Sequence, residues 1–124
     1  MANISAVVFD MYETLVPNNQ EDWLSLFDHI CREQGLGVDS RLFYREWKNI
    51  EVNFRRVRLN LEEPDKSPAF KSYEEAWRDC FSDVFKAMNL HGDALKAAKL
   101  AIYSMSLKAP FEEVPSSLSA IQAR

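Results

Sequence analysis

Hydrophobic positions in this chain form one unbroken run followed by a series of periodic stripes. Ala6-Val7-Val8-Phe9 is apolar without alternation and ends in Asp10, which is the pattern of a β-strand covered on both faces. Beyond it the spacing becomes helical. Asn19, ahead of Gln20-Glu21-Asp22, caps a first helix that runs to Gln34, with Trp23, Leu26, Phe27, Ile30 and Cys31 on one face and Gly35 as the stop. A second, longer helix begins at Asp39 or Ser40, and its Phe43, Trp47, Ile50, Phe54, Val57 and Leu61 recur at alternating steps of four and three, a packing seam. Residues 62–71 hold two prolines and no period, so they read as a loop. Ser72-Tyr73-Glu74-Glu75 supplies a capping box for a third helix whose apolar face is Trp77, Cys80, Phe81, Val84 and Met88. After a break at 89–92, a fourth helix places Leu95, Ala98, Ile102 and Met105 on one stripe, and a last helix opens near Ser116. The pattern predicts a mostly α protein, a helical bundle with a single N-terminal strand.

A single strand raises a pairing problem. Each backbone amide or carbonyl left buried without a partner costs about 1–3 kcal/mol, so residues 4–9 require a neighbour. Residues 100–106 tolerate β structure, but their spacing fits a helix better. The expected neighbour is another chain, giving a homodimer or higher oligomer joined through strand 4–9 and the helix faces.

Composition narrows the class. The chain has 124 residues, 47% of them hydrophobic and 12% aromatic, which is enough for one domain with a core. A net charge of −4 argues against nucleic acid as a main partner, because a phosphate backbone requires a basic face. No apolar run reaches the length of a membrane span, and the N-terminus lacks a signal-peptide pattern, so no membrane role and a cytoplasmic location are expected. Cys31 and Cys80 both fall on apolar helix faces and read as reduced, buried thiols. His29 and His91 lie apart, without a second ligand at zinc spacing. Arg45, Lys48, Arg55, Arg56 and Arg58 make one side of the second helix basic, either a solvated face or a means of attracting the carboxylate or phosphate of a small-molecule substrate.

Candidate chemistry centres on Asp10, a carboxylate at the C-terminal end of an apolar strand, the edge at which open α/β sheets bind ligands. Phe9-Asp10-x-Tyr12-x-Thr14-Leu15 resembles the first motif of the haloacid dehalogenase superfamily, usually Asp-x-Asp-Gly-Thr or, in the dehalogenase branch, Asp-x-Tyr-Gly-Thr. The resemblance implies that Asp10 is the nucleophile of a covalent aspartyl intermediate and that Thr14 fixes the loop around the bound group. It also implies, in phosphatase members, that Asp10 and the backbone carbonyl of Tyr12 ligate Mg²⁺. Two positions depart from the family. Tyr12 stands where phosphatases carry a second Asp that protonates the leaving group, and Glu13 stands where the family has a Gly. Glu13 is therefore a candidate proton donor or second metal ligand.

The resemblance extends along the chain as a truncated α/β core: 1–16 as core strand and nucleophile loop, 17–108 as a helical cap-like bundle, and 109–124 as the return segment with the start of a core helix. In the dehalogenase branch a cap Arg holds the substrate carboxylate, for which Arg45 and Lys48, flanking Trp47, are the candidates. The family's later motifs would lie beyond Arg124, so the likeness covers the first half of a member. Three readings follow: a phosphomonoester hydrolase acting on a small metabolite phosphate, with Mg²⁺; a 2-haloacid dehalogenase-like hydrolase that needs no cofactor; and a non-catalytic oligomeric module.

Overall fold

The computed structural model describes residues 4–123. Among them five α-helices follow one another: α1 (Gln20–Gln34), α2 (Ser40–Val57), α3 (Tyr73–Ala87), α4 (Ala94–Ser106) and α5 (Val114–Gln122), with a single 3-10 turn at Pro64–Lys66. The fold is mostly helical, and none of these helices is long and apolar enough to cross a membrane.

Local chemistry sets the helix starts. The side chains of Asn19, Asp39 and Asp93 each accept the amide of the residue three positions on, at 2.9 Å in all three cases, and so satisfy orphan donors of α1, α2 and α4. Ser72 and Glu75 form a reciprocal capping box at α3. Each cap is worth about 1 kcal/mol. Gly35 ends α1 at φ +60°, a left-handed conformation that glycine adopts without a Cβ clash.

The helices pack as a four-helix unit in which α3 lies along α4 and α2, and α1 lies along α2 and α4. Its centre is aromatic. Phe27 meets Phe43 edge-to-face at 4.9 Å, Trp47 stacks on Phe81 at 5.4 Å, and Trp23 stands edge-on to Trp77 at 5.7 Å. Each such pair adds about 0.5–1.5 kcal/mol beyond area burial. Trp47 Nε1 and Trp77 Nε1 are buried with no polar partner among the described residues. Cys31 and Cys80 are free, buried thiols, while His29 and His91 are exposed.

Three expectations are corrected. Residues 4–9 form no strand; no backbone hydrogen bond among the described residues involves them, and Ile4, Val7 and Val8 are exposed. The physical reason is the pairing problem itself: among the described residues no other segment forms a strand that could complete a ladder with them. The seam of α2 ends early, because the helix stops at Val57 and Leu61 lies beyond it, exposed. On α4 the buried residues are Ala97, Ala98 and Ala101, while Leu95 faces solvent. Small side chains let α4 approach α3 closely, so the contact line runs through the alanines and leaves Ile102 and Met105 half-buried at its side.

The seams of α2 and α3 are thus filled from within one chain: Phe43, Trp47, Trp77, Phe81 and Val84 are all buried. By contrast α5 packs on none of the other helices among the described residues, and it is tied to the N-terminal segment by the Phe111 amide, which donates to the Leu15 carbonyl at 3.0 Å.

Candidate functional site

Residues 11–16 fold into a compact turn that carries Asp10 at its head. The Met11 carbonyl accepts both the Leu15 amide at 2.8 Å and the Val16 amide at 3.0 Å, and the Glu13 amide donates to the Val16 carbonyl at 2.7 Å. Only an isolated bridge, Tyr12 to Val16, has β character. The Tyr12 carbonyl accepts none of these backbone hydrogen bonds.

Asp10, Glu13 and Thr14 are all exposed. Thr14 Oγ1 lies 3.5 Å from Asp10 Oδ2, at the limit of hydrogen bonding, so these two exposed side chains stand together on the turn. Glu13 occupies φ +61°, the left-handed region, where a Gly would be unstrained. Its Oε1 accepts the Asn18 amide, which closes the turn from the far side and leaves Oε2 free. The residue that breaks the glycine rule is held in place by its own side chain.

Arg45 and Lys48 lie on α2, in a groove of about 550 Å³ walled by Gln20, Leu24, Arg41, Tyr44, Arg45 and Lys48. Arg45 pairs with its neighbour Glu46 at 3.1 Å on the exposed rim. Lys48 is half-buried, 3.3 Å from the Glu51 carboxylate and 5.9 Å from the centre of the Trp23 ring. Burial, helped by the Glu51 charge, pushes the Tyr44 phenol above its ordinary pKa, so that it remains a proton donor beside these cations.

Glu51 is the residue that sequence reasoning missed. It is only 3% exposed and is held by Arg55 Nε at 2.8 Å as well as by Lys48. A carboxylate four residues after Trp47, with a Lys three before it and an Arg four after it, marks a paired charge on a core-facing stripe. That spacing was the available signal.

The two halves of the site are joined through Trp23. Its indole Nε1 donates to Asn18 Oδ1 at 2.9 Å, and its ring lies under Lys48 Nζ. Asn18 in turn gives its amide to Glu13.

A larger concavity, of about 900 Å³, lies elsewhere, where the end of α1 meets the α3–α4 connection. There the Gln34 side chain bridges the Asp93 amide at 2.7 Å and the Asp93 carbonyl at 3.2 Å. A Cβ at Gly92 would meet the Phe85 ring at 2.7 Å, so glycine is required by close approach. The Asp10 turn lines neither concavity and stands on the open surface.

For a metal, the donors on the turn are the Asp10 carboxylate, the Tyr12 carbonyl and the Glu13 carboxylate. Among the described residues no three His, Cys, Asp or Glu side chains converge. An oxygen-only donor set of this kind is the type that Mg²⁺ takes, with waters and substrate phosphate completing its shell. It does not fit zinc.

No family model matches the chain, and neither a curated protein nor a solved structure matches it.

Proposed function

We propose that the chain carries the nucleophile half of a hydrolase site resembling that of the haloacid dehalogenase superfamily, acting on small phosphate monoesters. The observation that carries this reading is the turn itself: Asp10 is exposed at its head, Thr14 Oγ1 lies 3.5 Å from the carboxylate, and the Tyr12 carbonyl is left without a backbone donor. An Asp10 oxygen attacks phosphorus as the bond to the leaving alkoxide breaks, giving an acyl phosphate that water then hydrolyses. Asp10 and the Tyr12 carbonyl would hold Mg²⁺, which supplies charge neutralisation to the transferring phosphoryl group. Thr14 holds the nucleophile, and Glu13 Oε2 donates a proton to poor leaving groups. Arg45 and Lys48 contribute positive charge for the remainder of the substrate. The exposed turn and the unpaired residues 4–9 support a site completed by a second chain that pairs with this segment.

The test is hydrolysis of an aryl phosphate and a panel of metabolite phosphates, with and without EDTA. Mg²⁺-dependent turnover that Asp10→Asn abolishes is expected, because an amide forms no acyl phosphate. Turnover that survives in the Asn variant sinks the role of Asp10, and no turnover at all moves the chain to a non-catalytic module. Tyr12 at the second-Asp position favours one alternative, attack of Asp10 on the carbon of a 2-haloacid. Halide release without metal would select it.

A further inference from the structure

The connection between α2 and α3 leaves a cluster of large apolar side chains in solvent. Val57, Leu59, Leu61, Phe70 and Tyr73 are all exposed, Leu61 to 83% and Phe70 to 92%. Together with Phe54 and Pro68, several of them wall a cleft of about 430 Å³. Contiguous patches of this kind on a small protein mark contact sites.

Charge identifies the occupant. Along 55–65 the order is Arg55, Arg56, Val57, Arg58, Leu59, Asn60, Leu61, Glu62, Glu63, Pro64, Asp65, so the apolar residues run from a basic end to an acidic end. Some of these charges are used internally: Arg55 by Glu51, and Glu63 by Lys66 at 2.7 Å. Arg56 and Glu62 have no ion pair among the described residues. Arg58 donates to the Tyr73 hydroxyl at 2.6 Å and lies 5.4 Å from the ring centre, which keeps an uncompensated cation at the cleft. A nucleic acid or an anionic bilayer would meet the acidic end and be repelled. A second copy turned through a twofold axis would instead place each basic end on the other's acidic end, with the apolar residues meeting between them.

We propose that the α2–α3 connection is a self-complementary docking surface for a second copy of this chain, apolar at its centre, with Arg56 of each copy facing Glu62 of the other. This contact is distinct from residues 4–9 and does not depend on any catalytic role for Asp10.

The test is sedimentation velocity on the full chain across the micromolar range, with circular dichroism as the fold control. Arg56→Glu and Glu62→Arg should each weaken association at least about tenfold, since attraction becomes repulsion at two symmetry-related contacts. The double variant should recover it. Phe70→Asp, at a side chain that supports no intrachain packing, should abolish this contact independently of the charges. The proposal is overturned if the wild type remains monomeric, if the single charge reversals leave association unchanged, if the double variant is as weak as the singles, or if Val8→Pro alone removes all association.

Discussion

Trp23 Nε1 donates to Asn18 Oδ1 at 2.9 Å, and through this bond the turn carrying Asp10 is fixed to the core of the bundle. Trp23 is itself packed against Trp47 at 5.5 Å and Trp77 at 5.7 Å, so its position is set by α2 and α3. The Asn18 amide reaches back to Glu13 on the turn. A displacement of α1 therefore moves the turn, and the coupling can be measured. Trp23→Phe keeps most of the ring and loses the donor; Asn18→Ala loses the acceptor. Asn18→Ala should cost about 1 kcal/mol of stability, Trp23→Phe more because it also leaves a cavity in the aromatic core, and the double variant should cost less than their sum. Strict additivity in urea melts would show that the bond contributes nothing.

Which parts were legible in the sequence follows from what sets them. Asn19 and the Ser72–Glu75 box act within one turn of backbone, and the structure has them as read. The α4 contact line depends on how closely another helix approaches, a tertiary quantity, and the stripe of large residues pointed to Leu95 where Ala97 and Ala101 are buried. Val57 and Leu61 continue the α2 period, yet no neighbouring helix extends far enough to cover them. At the site, Asp10 and Thr14 were singled out by the motif they resemble, and the structure brings the two side chains to 3.5 Å, a contact between near neighbours in the chain. The Asn18–Trp23 link was not legible, because an amide side chain and an indole five residues apart have no periodic signature.

Glu13 is a proton donor in the proposed reaction, and its neutral isostere separates that role from loop support. Glu13→Gln retains an Oε1 acceptor for the Asn18 amide, so the turn should persist. Turnover of alkyl phosphates should fall by about 10²–10⁴-fold, with aryl phosphates little affected, because only the former need protonation of the leaving group. An equal loss on both substrate classes would reassign Glu13 to holding the loop.

Cys80 makes stability depend on alkaline pH. Burial, then the Glu51, Asp83 and Asp79 charges, pushes its thiol up to about 11 from an ordinary 9.0. Below pH 9 the thiol is neutral in both folded and unfolded chains, and the folded state keeps its full advantage. Between pH 9 and about 11 only the unfolded chain ionises, so stability falls with rising pH, by on the order of 3 kcal/mol across the window. Cys31 and Tyr44, also shifted upward by burial, act in the same direction. Cys80→Ala should be less stable at pH 7 through its cavity and should show a shallower alkaline decline. Parallel pH profiles for the variant and the wild type would contradict the assignment.

Val8→Pro isolates the proposed pairing of residues 4–9 from the fold of the chain that carries them. Val8 is 94% exposed, and its amide makes no hydrogen bond among the described residues. Removing that amide costs the isolated chain nothing, so helical content and the thermal midpoint should be unchanged. In a strand paired with a second chain the same amide is a ladder donor, and proline is excluded from all but edge-facing positions. The comparison is cleanest with the α2–α3 surface already disabled by Phe70→Asp. Association that remains in Phe70→Asp should then disappear in the Val8→Pro, Phe70→Asp double variant, with an unchanged far-UV spectrum. If Val8→Pro lowers the midpoint of the isolated chain, the run has a structural role within the fold; if Phe70→Asp alone is already monomeric at every concentration, residues 4–9 pair with no second chain.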